Sequence, residues 1–121
     1  MILAIRDEWN PFQILVITSV YCKANILYYL FGIDKLSSYL ALLDKDCTKM
    51  VLKTFGAKIG KDCDIESHIL VHNAHPDFRN LKIGNGCHVG KDTFFDLRAP
   101  VLVEDLVTIS MRTTLITHTS V

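Results

Sequence analysis

Residues 83–100 read IGNGCH VGKDTF FDLRAP, three groups of six. Each group opens on a large apolar residue (Ile83, Val89, Phe95) and carries a small one at its fifth place (Cys87, Thr93, Ala99). The same phase extends outward in both directions. Upstream lie IGKDCD, IESHIL and VHNAHP, residues 59–76; downstream lie VEDLVT, ISMRTT and LITHTS, residues 103–120, followed by Val121. Two stretches fall out of phase, residues 77–82 and the pair Val101 and Leu102. First positions are Ile59, Ile65, Val71, Ile83, Val89, Phe95, Val103, Ile109, Leu115 and Val121, and fifth positions are mostly small. A strand alternates every two residues and a helix every 3.6, so neither makes this pattern. Short strands joined by tight turns make it, with each sixth residue pointing inward. Glycine follows the aliphatic residue at Gly60, Gly84 and Gly90, where it is expected to serve the corners. Such a unit cannot bury its apolar edge alone, so successive turns of chain must stack.

Before Gly56 the period is helical. Pro11 can open a first helix and Gly32 close it. Within it Ile17, Val20, Ala24, Leu27 and Phe31 recur at alternating steps of three and four, the spacing of one apolar face. The stretch is long enough to span a bilayer. Gln13, Lys23 and Asn25 interrupt it, so packing against the protein itself or a partner subunit is favoured over membrane contact. Asp34 or Ser37 is expected to cap a short second helix over KLSSYLALL. A third helix, CTKMVLKTF after Asp46, should stop at Gly56. The chain thus divides into an N-terminal helical segment, 1–55, and a repeat segment, 56–121.

Lys plus Arg and Asp plus Glu balance at 13 each among 121 residues. No overall field draws nucleic acid, and no nucleic-acid partner is expected. Cys22, Cys47, Cys63 and Cys87 lie far apart without a Cys-x-x-Cys pair, which suits reduced thiols in the cytoplasm. The opening MILAIRDEWNP has early acidic residues and no signal-like cleavage site.

The run LKIGNGCHVGKDTFFDLRAPVLVEDLVTISMRTTLITHTSV resembles the hexapeptide-repeat acyltransferases, in their sugar and polysaccharide O-acetyltransferase branch. Phe95-Asp96, Val107-Thr108-Ile109-Ser110 and Leu115-Ile116-Thr117-His118 match that branch's "ID", "VTIS" and "ILTH" elements. The resemblance covers residues 56–121. It implies a left-handed parallel β-helix preceded by helices, an exception to right-handed crossovers. It also implies a homotrimer, and acetyl transfer from acetyl-CoA to a saccharide hydroxyl without metal. His118 is implied as the general base, taking the hydroxyl proton as oxygen attacks the thioester. Two departures stand out. Thr119 replaces the family's usual aspartate. Family members also continue for several more turns that complete the coenzyme A site, so these 121 residues by themselves are expected to turn over little.

Counting by repeats places Arg98 one rung beneath His118, with Asp96 at a nearby corner. Either is a candidate to orient the acceptor or the imidazole; a solvated rung edge is the plain alternative. His72 and His75 sit beside the break in phase, on a loop that either contacts the acceptor or is an ordinary polar loop. His68 and His88 are expected to face solvent, and Cys63 and Cys87 to be core residues, not nucleophiles. Two other functions compete with acyl transfer. One is a non-catalytic assembly module; the other is a zinc enzyme of the β-helical carbonic-anhydrase type, whose histidine spacing this chain lacks.

Overall fold

The computed structural model describes residues 10–117. Helix α1 spans Pro11–Phe31 and is held at its start by a reciprocal box. Gln13 N–H donates to Asn10 Oδ1 at 2.8 Å, and Asn10 N–H donates to Gln13 Oε1 at 2.9 Å. Two of the otherwise unpaired N-terminal donors are thereby satisfied. Gly32, with φ of 88°, ends α1, and α2 begins at once over Ile33–Leu40. No side chain caps α2. Asp34, expected at its cap, lies instead in its first turn, where its charge opposes the positive helix end; Ser37 is mid-helix. Helix α3 runs over Lys45–Thr54, and Asp44, not Asp46, caps it by accepting from Cys47 N at 2.9 Å.

Among the described residues nine short strands follow: β1 Lys58–Ile59, β2 Asp64–Ile65, β3 Leu70–His72, β4 Leu81–Ile83, β5 His88–Val89, β6 Phe94–Asp96, β7 Val101–Val103, β8 Thr108–Ile109 and β9 Thr114–Leu115. They form three parallel sheets, β1-β4-β7, β2-β5-β8 and β3-β6-β9. The chain visits the three sheets in turn and then returns to the first, so each strand stacks on the strand one circuit earlier. Register follows the repeats. Ile59, Ile83 and Val103 are paired; so are Ile65, Val89 and Ile109, and Val71, Phe95 and Leu115. Of these first-position residues Ile65, Val71, Ile83, Val89, Phe95, Val103 and Ile109 are buried. Ile59 and Leu115, on the first and last described circuits, are half-buried.

Three details depart from the repeat count. Val101 and Leu102 do not interrupt the ladder: they pair with Leu81 and Lys82 within β7 and β4. Residues 81 and 82, out of phase by sixes, are therefore strand, and Leu81 is fully buried. The longer first circuit is accommodated at residues 73–80, where Phe78 is fully buried and its N–H donates to Phe55 O at 2.9 Å. That loop is anchored by an aromatic plug, and is not merely polar.

The third concerns the glycines. Left-handed backbone occurs at fourth positions, at Asp62, His68, Gly86, Asp92, Leu106 and Arg112. Gly60, Gly84 and Gly90 serve a different need, the close approach of the next circuit. A Cβ at Gly90 would lie 2.4 Å from Met111 N, and one at Gly60 2.7 Å from Asn85 N.

The helices cover one end of the stack: α2 touches β3, and α3 touches β1 and β2. Leu36, Leu40, Val51 and Leu52 are buried there, in one continuous core with the repeat residues. Helix α1 lies on α2 and α3, burying Ile17 and Ala24, with Val20 and Tyr28 packed beside them. Phe31, assigned to the same face from spacing, is 63% exposed in the final turn.

Gly90→Ala should lower stability by about 1–3 kcal/mol, because backbone atoms of the next circuit cannot yield as a flexible side chain does. Urea denaturation measures this. An unchanged midpoint would show that the circuits are less tightly stacked than described.

Candidate active site

The third corner of each circuit, after β3 and after β6, carries most of the residues singled out from the sequence. His72 closes β3 and Asp96 closes β6, and the two are register partners. Asp96 is 2% exposed. A carboxylate in that position must be hydrogen-bonded to remain there. It accepts from Asn73 Nδ2 at 3.1 Å, from Arg98 N at 3.1 Å and from Thr117 N at 3.3 Å. Ala99 N–H donates to Thr117 Oγ1 at 3.2 Å. Residues from three successive circuits are thus tied at one point, and the segment immediately before position 118 is held by two of these bonds. His118 itself lies outside the described residues.

The remaining candidates are placed as follows. Arg98 is exposed; its backbone, not its guanidinium, is what meets Asp96. His72 is exposed, with its ring 6.1 Å from that of Phe94. His75 is exposed on the 73–80 loop and makes no hydrogen bond or ion pair among the described residues. The same loop is fastened to α1, where Tyr28 O–H donates to Pro76 O at 3.0 Å. Asp96, His72 and Arg98 therefore share one corner, while nothing in the contacts joins His75 to them. Sequence reasoning missed Asn73 and Thr117. Pairing Val71, Phe95 and Leu115 carries two residues onward to Asn73, Leu97 and Thr117, so the register would have found both.

A second polar group lies near the helices. Asp64, Glu66 and His88 offer ligand atoms all within 4.8 Å of one another. A cation of the chain itself is already seated there: Lys45 Nζ stands 2.5 Å from Asp64 and 3.4 Å from Glu66. His88 Nδ1 is 3.0 Å from Asp64 Oδ2. Chiefly through the Lys45 hydrogen bond, Asp64 is held below the ordinary aspartate range and Lys45 above its own. This group latches the start of α3 to β2 and β5. His68, exposed as expected, is hydrogen-bonded to Asp92.

Three of the cysteines are buried and structural. Cys63 and Cys87 are buried, and their thiols donate to Gly84 O and Glu104 O, each at 3.0 Å. Burial pushes the Cys47 thiol up to about 12, with the Asp44 hydrogen bond acting in the same direction. Cys47 is therefore not poised as a thiolate nucleophile at neutral pH. Among the described residues, one shallow surface depression runs along Lys82, Leu102 and Asp105, and another lies between Leu42 and His68. Neither is lined by Asp96, Arg98, His72 or His75.

Two tests follow from these contacts. Asp96→Ala should cost about 1–3 kcal/mol for the buried N–H groups it leaves unpaired; a loss below about 0.5 kcal/mol by chemical denaturation would mean the corner is not held by this carboxylate. Lys45→Met should raise the Asp64 pKa, followed by NMR titration. Because the folded-state pKa of Asp64 is depressed, the pair stabilises above the unfolded value of about 4 and that contribution disappears as pH falls below it. Both side chains are half exposed, so it should be under about 1 kcal/mol.

Comparison with family models, with curated proteins and with solved structures finds no match to this chain.

Proposed function

We propose that residues 56–121 form a left-handed parallel β-helix of the hexapeptide-repeat acyltransferase kind, with residues 1–55 as a helical segment closing its first turn. In this reading the protein is a cytoplasmic homotrimer that transfers an acetyl group from acetyl-CoA to a saccharide hydroxyl. The observation that carries it is the coincidence of two independent patterns. The repeat phase stacks in register in three sheets, and two of the elements resembling the family's catalytic run, Phe95-Asp96 and Leu115 to Thr117, meet at one corner, where Asp96 holds Thr117. The sequence neighbour of Thr117 is His118, the base that the resemblance implies.

Acyl transfer needs a neutral imidazole within reach of the acceptor hydroxyl, and a polypeptide that keeps it there. A buried carboxylate gripping the preceding peptide N–H serves the second need. Asp96 acts in this scheme as a positioning residue, since its two-percent exposure leaves it little surface for an acceptor. Arg98 and His72 are exposed on the same corner and are the groups available to bind the saccharide. His75, on the neighbouring loop, is a further candidate for acceptor contact.

The test uses the longest reading frame that contains these residues, with acetyl-CoA and a panel of mono- and oligosaccharides. His118→Ala should lower kcat at least about a hundredfold, with coenzyme A affinity little changed, because a base acts in the transition state. Asp96→Asn should lower kcat less and leave the acceptor KM near its original value. Retention of full activity by His118→Ala would remove that histidine from the mechanism. Absence of both coenzyme A binding and transfer would favour the non-catalytic assembly module.

A further inference from the structure

Helix α1 has a second apolar stripe, opposite the one that packs on α2 and α3. Phe12, Leu15, Ser19, Cys22, Ile26 and Tyr29 are all exposed. The four large ones are exposed by 71%, 63%, 56% and 76% in chain order. Their spacing is three, four, three, four, three, the seam of a helix that meets another helix along its length. No charged residue falls within it.

The seam is also the same read from either end. Reflection about the point between Val20 and Tyr21 exchanges Phe12 with Tyr29, Leu15 with Ile26 and Ser19 with Cys22. Aromatic falls on aromatic, branched aliphatic on branched aliphatic, and small on small. That is the property an isologous interface demands, because each residue must suit the partner that the two-fold axis sets against it. We propose that α1 pairs antiparallel with α1 of a second copy of this chain, through this seam. The proposal stands apart from the acyltransferase reading and does not depend on it.

Three further observations favour a second copy running antiparallel. Ser19 and Cys22 are small and central, which lets the two backbones approach closely at the crossing while the large side chains interlock at either end. Lys23 borders the seam with its Nζ 4.9 Å from the centre of the Tyr39 ring. Held at the edge by its own chain, it leaves the centre of the seam uncharged, so no ammonium is buried unpaired when a second copy docks. The contact area is also sufficient. At roughly 200 Å² for a fully exposed ring, the seam and the adjoining Leu30, 71% exposed, offer on the order of 600 Å² per copy. Two copies bury about 1,200 Å², the lower bound of a stable interface.

A lipid bilayer is the other apolar partner, since α1 has the length and composition to cross one. Its Ile17 and Ala24 side is already covered by the chain's own helices, and a spanning helix would have to shed them. Lys23 is the single basic residue of α1, so anchoring to an anionic membrane surface has little charge to draw on.

Charge reversal across the axis tests the pairing. Leu15→Lys and Ile26→Glu should each weaken association roughly tenfold or more, giving a species of half the parent mass by sedimentation velocity, with helicity and melting temperature retained. The double variant Leu15→Lys/Ile26→Glu should restore association, because ammonium and carboxylate then meet in the antiparallel register. In a parallel register like charges would meet and the double variant would stay apart. Failure of the double variant to recover overturns the proposal, as does a parent protein whose mass is insensitive to either single substitution. Flotation of the parent protein with phosphatidylcholine vesicles, lost in both single variants and not regained in the double, would assign the stripe to lipid instead.

Discussion

Everything in the repeat segment depends on how closely one circuit lies on the next. Parallel strands pair at about 4.8 Å, and here three sheets are built at once, so three faces must satisfy that spacing together. The apolar first-position residues gain from it because each is covered by its counterparts above and below. Val89, fully buried between Ile65 and Ile109 in one sheet, shows the result. The same closeness is what excludes a side chain at Gly60, Gly84 and Gly90. It also sets Asn85 Oδ1 against Lys61 N–H at 2.8 Å and Asp105 Oδ1 against Asn85 N–H at 2.7 Å. Corner donors that no strand partner reaches are thereby paired with side chains from the following circuit.

A stack of this type has two ends, and an open end exposes both apolar side chains and the cut edge of every strand layer. The helical segment answers this at the first circuit. Leu36 and Leu40 of α2 and Val51 and Leu52 of α3 are fully buried, and Phe55 leads directly into the first strand while its carbonyl receives the Phe78 N–H. Covering that end uses one side of the helical layer. The outer side of α1 remains apolar, and its large residues are exposed because packing among the described residues does not cover that face.

The corner around Asp96 illustrates how such an architecture makes a site. Strand ends one circuit apart are brought to a single point, so a side chain from each can meet although the sequence separates them by more than twenty residues. Asn73, Asp96 and Thr117 do so. A buried carboxylate costs desolvation unless several donors compensate it, and two backbone N–H groups and an amide do. The proposed catalytic role uses the rigidity this provides: a base attached to a peptide that is already hydrogen-bonded loses less freedom when the acceptor arrives.

The amino-acid sequence by itself determined the phase of the repeats and hence the inward residues from Ile59 to Leu115, the change from helix to strand near Gly56, and the parts played by Cys63 and Cys87. These follow from local periodicity, since inward orientation at every sixth residue needs only the geometry of short strands and turns. Contacts between circuits are not local, and there the tertiary structure decided. Val101 and Leu102 look like an interruption by sixes, yet they are strand because Leu81 and Lys82 stand beside them. The glycines were legible as special positions, but the reason for them lay in the neighbouring backbone and not in their own dihedral angles. Asp96 reads as an exposed acid at a turn until Asn73 and Thr117 are brought over it. Phe78 reads as part of a polar loop until the hollow beside Phe55 receives it. In each case the deciding energy is burial or a hydrogen bond to a residue some twenty positions away, and a linear pattern carries no record of that distance closing.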